Sequence, residues 1–410
     1  MRVTVTLVLD IPDEQVSVKS IEECVREASG RFRSEAWQKW VWAVEEKAQS
    51  EHPRGALRVK CWERRSLWTT AGPVGFKRRR FVSVVDDRSL LLFDMRMGLK
   101  PWQRTTAAAD DLMAEAAADI PGYQMAAKSL GRTWGEQPSA MLVWSAVQRV
   151  AKPLLERQTE LRRAVFNDGD LPGWERPAPG FLALEVDSTY LPAWRGLGQD
   201  HEVHLGMGYT GKGQSGRRRW LEDKTLCVGL GDIQTFGRDF FVAMQERFNV
   251  TEVPWGLMTC DGDNRLRQMR REHFHGMVGQ LDWAHLGWKF DEAYGPERRE
   301  RRKQLMGLLY AEKYRSACRE VRSDLRKFRT RRSQLRDLIS YLEGPGQDLY
   351  GARKLVRRGA RLPPHMQGSG GIERNIGILI ARRMKRRGMG WTKRGASNLL
   401  TVRLRLFNHA

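Results

Sequence analysis

The chain has 410 residues, 41% of them hydrophobic, and 15 tryptophans, a composition that excludes a ribosomal or histone-like basic protein and suffices for two or three domains. Its formal net charge of +22 predicts a polyanionic partner, because lysine and arginine bind phosphates strongly and in a salt-dependent manner.

Compartment is indicated by the cysteines and by the absence of targeting patterns. The five cysteines are scattered without a CxxC pair, which argues against zinc ribbons and disulfide frameworks and is typical of a reducing cytosol. The first ten residues lack the basic segment of a signal peptide, and no apolar run approaches the roughly 20 residues that span a bilayer. We therefore expect a cytoplasmic protein with no membrane partner.

The N-terminal region, residues 1–104, has an α+β pattern. Alternating hydrophobicity over Val3–Leu9 predicts a strand, and Val18–Ser50 has a helical pattern. Thr69–Phe81 is typical of short strands joined at a Gly-Pro turn. This segment carries a basic run that we expect to contact DNA, namely Lys77, Arg78, Arg79 and Arg80.

Residues 105–170 have a helical pattern. Ala107–Ala118 is alanine-rich, and Gly122–Gly131 and Ser139–Val150 form two further helices around a loop that contains Gly135 and Pro138. The arrangement fits a helix-turn-helix, and it equally fits an ordinary helical hairpin. The basic charge of the chain favours the DNA-binding interpretation.

A linker rich in proline and glycine, Asp168–Gly180, precedes alternating strands and helices. This alternation over residues 180–290 predicts a mixed α/β sheet. The predicted strands are Phe181–Asp187, Glu202–Tyr209, Thr225–Gly231, Trp255–Cys260 and Met277–Leu281, and the predicted helices are Phe236–Phe248 and Arg265–His275. An arginine-rich helical insertion follows at 291–367, and the final helical part spans 368–410.

Three acids suggest a metal site. Asp187 and Asp261 end hydrophobic strands, where ligands of α/β sheets usually bind, and Glu373 starts a helix after the glycine-rich loop that begins at Gly368. Carboxylates without a cysteine or histidine cluster favour Mg²⁺ or Mn²⁺. Two such ions can promote phosphoryl transfer. Asp263 is an alternative to Asp261, and Glu185 is an alternative to Asp187 because it shares its face of the strand.

These elements resemble the RNase H-like catalytic domain of DDE-type transposases and integrases. The similarity is to bacterial insertion-sequence transposases of the Mutator-related, ISLre-type family. It is carried by Val186–Thr189, Cys260–Gly262, Leu281–His285, Gly368–Glu373, Arg387–Thr392 and Gly395–Ala396. Two details differ from the family pattern: Ser188 stands where glycine is usual, and Asp263 stands where alanine is frequent.

The resemblance implies an α/β RNase H-like mixed-sheet catalytic domain with an all-helical insertion. It implies that Asp187, Asp261 and Glu373 bind two Mg²⁺ or Mn²⁺ ions for cleavage at terminal inverted repeats and transfer of the 3′-OH into target DNA. The implied partners are the double-stranded DNA of transposon ends and target and a homo-oligomer, a dimer or higher, on that DNA. The implied location is the bacterial nucleoid.

Further residues have two interpretations. Asp282 and His285 match the family's Asp-x-x-His element, in which the histidine contacts the scissile phosphate or orients a water, but a capping Asp and a packed His fit equally. The pairs His201/His204 and His273/His275 are expected at the surface rather than in a zinc site. Trp283, Trp288 and Trp391 are expected in the core rather than stacked on DNA bases.

A second basic run flanks the third acid. We expect Arg382, Arg383, Lys385, Arg386 and Arg387 to bind phosphates beside Glu373, together with the bases of 298–336. The alternative for the insertion is that its arginines pair with acids on solvated helix faces. The alternative functions are an RNase H-fold nuclease without strand transfer and a domesticated, non-catalytic DNA-binding protein.

Overall fold

The computed structural model describes residues 2–6, 17–196, 198–344, 348–364, 366, 371–385 and 388–409. The chain divides into two compact units, Met1–Val150 and Ala151–Ala410. The five segment boundaries expected from the sequence stay predictions. Within the described ranges, no helix combines the length and apolar character that crossing a membrane requires.

The first unit contains a three-stranded antiparallel sheet in the order β1-β2-β3, with helices around it. Its elements are α1 (Val18–Ser50), β1 (Leu57–Thr69), β2 (Gly72–Ser83), β3 (Ser89–Leu90), α2 (Leu92–Met97), α3 (Ala107–Asp119), α4 (Tyr123–Trp134) and the start of α5 (Ala140–Arg163).

The hairpin of β1 and β2 differs from the expected short strands with a Gly-Pro turn. Both strands are long, and the turn is formed by Thr70 and Ala71, so that Gly72 already pairs with Thr69. The strand expected over Val3–Leu9 is absent from 3–6, and 7–9 lie outside the described residues. The α1 helix has the predicted bounds.

Helix α1 protects the open edge of β2. The side-chain amide of Gln38 forms two hydrogen bonds of 2.7 Å with the backbone of Lys77. It accepts one from the Lys77 N–H and donates the other to the Lys77 carbonyl. The buried Glu45 carboxylate accepts the Arg79 N–H at 2.8 Å. An uncovered edge would present unpaired backbone groups to other chains, so these side chains complete the sheet.

The second unit is built on a five-stranded mixed sheet in the order β10-β9-β4-β5-β8. Strand β5 is antiparallel to both neighbours, whereas β4, β9 and β10 are parallel. The mixed α/β sheet expected from the sequence is therefore confirmed. Its strands are β4 (Leu182–Leu191), β5 (His201–Tyr209), β8 (Thr225–Leu230), β9 (Gly256–Cys260) and β10 (Met277–Leu281), and a separate hairpin is formed by β6 (Gly211–Ser215) and β7 (Arg218–Glu222).

Helices surround this sheet and form a second hydrophobic cluster beside it. The helices are α6 (Ile233–Phe248), α7 (Asn264–His273), α8 (Trp283–Tyr294), α9 (Arg299–Tyr310), α10 (Tyr314–Lys327), α11 (Arg332–Glu343), α12 (Gly351–Arg357), α13 (Gly371–Ile376), α14 (Arg382–Met384) and α15 (Lys393–His409). Phe236 and Phe240 of α6 pack on the sheet. Leu305, Leu335 and Leu338 give the helical insertion a core shared with α8.

Candidate active site

Three aspartates lie side by side across neighbouring strands. The last β4–β9 pair is Glu185 with Thr259, so Asp187 and Asp261, two residues further along each strand, are level with each other. The last β9–β10 pair is Cys260 with Leu281, which brings Asp282 level with Asp261. The Asp282 N–H donates to the Cys260 carbonyl at 2.9 Å and continues that register.

The position of Asp187 corrects the sequence interpretation. Asp187 does not end its strand, since β4 continues to Leu191 through pairing with β5. It lies beyond the end of the shorter neighbour β9. Its carboxylate therefore faces the open edge because the neighbouring strand has ended, while its own backbone remains fixed by the sheet.

Asp282, His285 and Glu373 form the tightest group of candidate ligands. One ligand atom from each lies within 4.8 Å of the others. The His285 Nδ1 is 2.8 Å from the Asp282 Oδ2 and 3.8 Å from the Glu373 Oε1. The other Asp282 oxygen accepts the Ala284 N–H and caps α8. Asp282 thus caps a helix, as one interpretation of the sequence expected, and its other oxygen holds the His285 ring.

Glu373 offers two buried carboxylate oxygens as cation ligands. Part of its side chain reaches the surface, but both carboxylate oxygens are buried and neither has a hydrogen-bond partner among the described residues. Buried carboxylate oxygens without hydrogen-bond donors are costly, and a bound cation would remove that cost. Glu373 lies in the first turn of α13, as expected, whereas Gly368 and the two residues after it lie outside the described residues.

The acids act on one another electrostatically. Burial raises the pKa of Asp187 and of Glu373, and neighbouring carboxylates, Asp282 among them, raise both further. Burial alone would lower the pKa of His285, but the hydrogen bond to Asp282 and the surrounding carboxylates raise it above its ordinary value. The site therefore collects negative charge that a cation would neutralise.

The donor set fits a hard divalent ion. Most of the candidate ligands are carboxylates, and one is an imidazole. This set suits Mg²⁺ or Mn²⁺ better than a soft metal that prefers thiolate ligands. Asp187 and Asp261 lie outside the tight group, although the charge of Asp187 acts on Glu373. Of the three acids expected as ligands, the tight group therefore contains Glu373, together with Asp282 and His285.

Glu185 connects the sheet to the helix that carries Glu373. Its buried carboxylate accepts the Tyr209 hydroxyl at 2.6 Å and the Ile372 N–H at 2.9 Å. Burial raises its pKa. Glu185 is thus a positioning residue for α13 and not a substitute for Asp187. Its sequence signal was an acid in an otherwise apolar strand, two residues before another acid.

We expect Glu185→Ala to lower the free energy of unfolding by about 2–6 kcal/mol, because two buried donors lose their acceptor at about 1–3 kcal/mol each. Glu185→Gln keeps one acceptor oxygen and is expected to lose less than half as much. Urea unfolding measures both. Equal losses for the two variants would show that the carboxylate oxygens do not hold α13.

Asp263 has a capping role. Its carboxylate accepts the Arg265 N–H at 2.8 Å, caps α7 and pairs with the Arg265 guanidinium at 2.9 Å. Its own N–H donates to the Asp261 Oδ1 at 2.9 Å. Asp263 therefore orients Asp261 through its backbone, while its side chain is occupied elsewhere.

One residue near the acids, Tyr341, was missed in the sequence, and Lys385 has a contact there that the sequence did not predict. The Tyr341 hydroxyl, on α11 of the insertion, donates to the Asp261 carbonyl at 2.5 Å. The Lys385 ammonium donates to the Thr189 hydroxyl, and the charge of Asp187 acts on it. Lys385 was expected at the phosphate rim, and this contact lies beside the first acid. The contact of Tyr341 has no local sequence signal, since it depends on how the insertion packs.

The basic run on β2 is engaged inside its own unit. Arg78 pairs with Asp94 and Glu63, Arg79 with Glu45, and Arg80 with Glu63. Only Lys77 leaves its side chain in solvent with no such partner among the described residues. These ion pairs give the arginines a structural role, and their contact with DNA stays a prediction.

The second basic run is divided by burial. Arg383 is 2% exposed, and its guanidinium lies 5.6 Å from the centroid of the Trp391 ring, so it is not free to reach a phosphate. Arg382 and Lys385 are exposed. Arg386 and Arg387 lie outside the described residues.

Many arginines of the insertion are paired with acids, mostly between helices rather than within one. Arg301 pairs with Glu320 and Asp324, and Arg322 pairs with Glu343. The pairing alternative therefore accounts for part of the positive charge, through contacts between helices that join the insertion together.

Some aromatic and histidine positions also differ from expectation. Trp391 is buried, but Trp288 is 56% exposed and packs edge-on against the His285 ring at 4.7 Å between centroids. His204 is fully buried, with one ring nitrogen 2.7 Å from the Ser188 hydroxyl and the other 2.8 Å from the Gly231 carbonyl. The surface position expected for His204 is wrong, because Ser188, next to Asp187, engages its ring.

Comparison with known proteins gives a family without an assigned activity. No curated protein matches the chain. Among solved structures, the chain is similar to the Drosophila P element transposase strand transfer complex, with 10% identity, a TM-score of 0.28, and coverage of 77% of this chain and 82% of that one. A family model matches residues 12–409. The chain therefore belongs to the uncharacterised protein family UPF0236.

Proposed function

We propose that this protein is a DDE-type DNA transposase that cleaves transposon ends and joins their 3′-OH to target DNA. The observation that carries the proposal is the convergence of Asp187, Asp261, Asp282 and Glu373 at one edge of a mixed sheet, with both oxygens of Glu373 buried and without a hydrogen-bond partner among the described residues. The RNase H-like assignment of this sheet and the ISLre-type resemblance belong to the same proposal.

In this proposal the acids hold the cations. Asp187 and Asp261 approach from adjacent strands, and Glu373 approaches from α13, which Glu185 fixes to the sheet. Mg²⁺ or Mn²⁺ bound by these carboxylates would supply Lewis-acid activation of the attacking oxygen and stabilisation of the leaving oxygen. His285, held by Asp282, lies beside Glu373 and can donate to a phosphate oxygen or orient a water.

The positive charge and the first unit would serve DNA binding. Lys385 lies beside Asp187, where a phosphate oxygen would approach the acids. We assign end recognition to the helical pair α4 and α5, in which Gly135 ends α4 with a left-handed φ of 77°, as a helix-turn-helix. Pairing of two ends on one complex requires a dimer or higher oligomer on DNA.

The experiment is an integration assay with DNA duplexes that end in the inverted repeats flanking the gene. With Mg²⁺ or Mn²⁺, pre-cleaved ends carrying a free 3′-OH are expected to join a target plasmid. Sequencing of the joints measures this directly. Degradation of the ends without joints would instead establish a nuclease, and binding without any cleavage would establish a domesticated DNA-binding protein.

A further inference from the structure

A basic hairpin projects from the second unit, and neither the acids nor the predicted basic runs include it. Strands β6 and β7 pair from Gly211 with Glu222 to Ser215 with Arg218, which leaves the two-residue loop Gly216–Arg217. Gly216 has a φ of 57°, as such tight loops require. Every residue from 214 to 220 is exposed.

Three consecutive arginines occupy the tip of this hairpin, Arg217, Arg218 and Arg219. Within the described part of the chain, none of them forms an ion pair or a side-chain hydrogen bond, in contrast to Arg301 or Arg322 of the insertion. Adjacent guanidinium groups repel one another, and an exposed hairpin gains no folding energy from them. Their position is therefore explained best by an external anion.

Packing within the hairpin fixes the positions of these arginines. Trp220 lies across Gly213 on the opposite strand, where a Cβ would collide with the indole ring. Alternation places Arg218 on the face of Trp220 and Arg219 on the face of Lys212. Both faces of the ribbon thus carry a cation, and one adds an exposed aromatic ring.

The root of the hairpin lies at the other end of β4 from the acids. Tyr209 ends β5 opposite Ala183, which is four residues before Asp187 on β4. At about 3.3 Å per residue this distance is about 13 Å, the rise of about four base pairs of duplex DNA. The charges of Glu185 and Arg219 both act on Lys212, which connects the hairpin to the sheet beneath the acids.

We propose that the β6–β7 hairpin binds the phosphate backbone of double-stranded DNA through Arg217, Arg218 and Arg219. Guanidinium groups match phosphate geometry and need no base sequence for this contact. The choice of DNA as the ligand rests on the proposed function. The hairpin adds a phosphate contact outside the row of acids.

The test compares variants of the full chain in binding to a fluorescent 30-base-pair duplex in EDTA, at several salt concentrations. The triple variant Arg217→Gln, Arg218→Gln, Arg219→Gln is expected to bind about 10- to 100-fold more weakly. The slope of the logarithm of the binding constant against the logarithm of the salt concentration is expected to be shallower by about 2–3, since each lost phosphate contact lowers the magnitude of that slope by about 0.9. The matching lysine variant keeps the charge and is expected to retain most of the affinity and slope.

The control removes equal charge from exposed arginines that already have partners. Arg247 pairs with Asp223, and Arg353 and Arg357 both pair with Glu312; these arginines are 46%, 45% and 62% exposed. Their triple glutamine variant is expected to bind within about threefold of wild type, because partnered arginines release few counterions. Equal weakening in both triple variants, or wild-type binding by the hairpin variant, would overturn the proposal.

Unlabelled competitors identify the ligand of the hairpin. The EDTA in the buffer separates this test from the test of catalysis. Anionic vesicles or single-stranded RNA that displace the duplex better than unlabelled duplex would overturn DNA as the ligand. Binding in EDTA does not depend on catalysis. If integration fails while the hairpin variant loses duplex affinity, the proposed chemistry is wrong and the DNA-binding hairpin stands.

Discussion

Replacing Asp261 with asparagine is expected to abolish both DNA cleavage and strand transfer while leaving DNA binding intact. Asp261 lies level with Asp187 on one side and Asp282 on the other, at the centre of the row of acids. A neutral amide there removes one negative charge from the proposed cation site. We expect cleavage and strand transfer to fall by about 10³-fold or more. Replacing a residue that only orients a metal ligand typically costs roughly 10–100-fold.

Integration of pre-cleaved ends and duplex binding in EDTA, measured on the same preparation, separate chemistry from binding. Asp263→Asn is the matched control two residues away, because asparagine caps helices about as well as aspartate. It is expected to keep activity within about tenfold, the lower range for an outer-shell residue. An active Asp261→Asn would refute the site, and a defect found in Asp263→Asn instead would move the metal site to Asp263.

Glu373→Gln is expected to remove the stabilisation that a divalent cation gives the wild type. A ligand at 100 times its Kd stabilises the folded state by about 2.7 kcal/mol. For a domain of this size that corresponds to a rise in Tm of about 5–10 °C. Glu373 contributes because both its oxygens are buried without a hydrogen-bond partner among the described residues.

Thermal unfolding with and without Mn²⁺ at neutral pH measures this effect. Glu343→Gln is the control, since this acid pairs with Arg322 on an exposed helix face and is expected to keep the full cation shift. A Glu373→Gln protein that is still stabilised by Mn²⁺ as strongly as the wild type would exclude Glu373 as a ligand.

The pKa shifts fix the sign of the pH dependence. Because folding raises the pKa of Asp187 and Glu373, protonation of these acids stabilises the cation-free protein. This contribution to the free energy of unfolding is complete at a pH below the ordinary pKa values of the two acids. It is lost as the pH rises through their raised pKa values. The cation shift in Tm has the opposite sign, growing with pH over the same window because the cation requires ionised carboxylates.

Local patterns predicted the elements of the second unit well. Met277–Leu281 is a strand with the expected bounds, and His201–Tyr209 and Gly256–Cys260 differ from expectation by a single residue at one end. Apolar alternation and strand-breaking neighbours act within a few residues, so the sequence displays them directly. The hairpin turn at Thr70 and Ala71 was misplaced because the pairing of β1 with β2 overrode the usual preference of Gly-Pro for turns.

The roles of charged residues were predicted less well. Arg78 looked like a free basic residue but is paired with Asp94, which lies on a different element of the same unit. Asp263 looked like a rival ligand but caps α7. The sequence shows how many charges a segment carries, whereas burial and partners determine whether any of them is available to a ligand.

The sequence by itself determined the composition of the site: acids after apolar strands, a further acid at a helix start, and a strong excess of positive charge. Only the tertiary structure decided which acids meet. Asp282 lies level with Asp261 because β10 lies beside β9, and Glu185 holds α13 through Ile372. Strand order and long-range contacts of this kind arise from packing the whole chain, and no local periodicity encodes them.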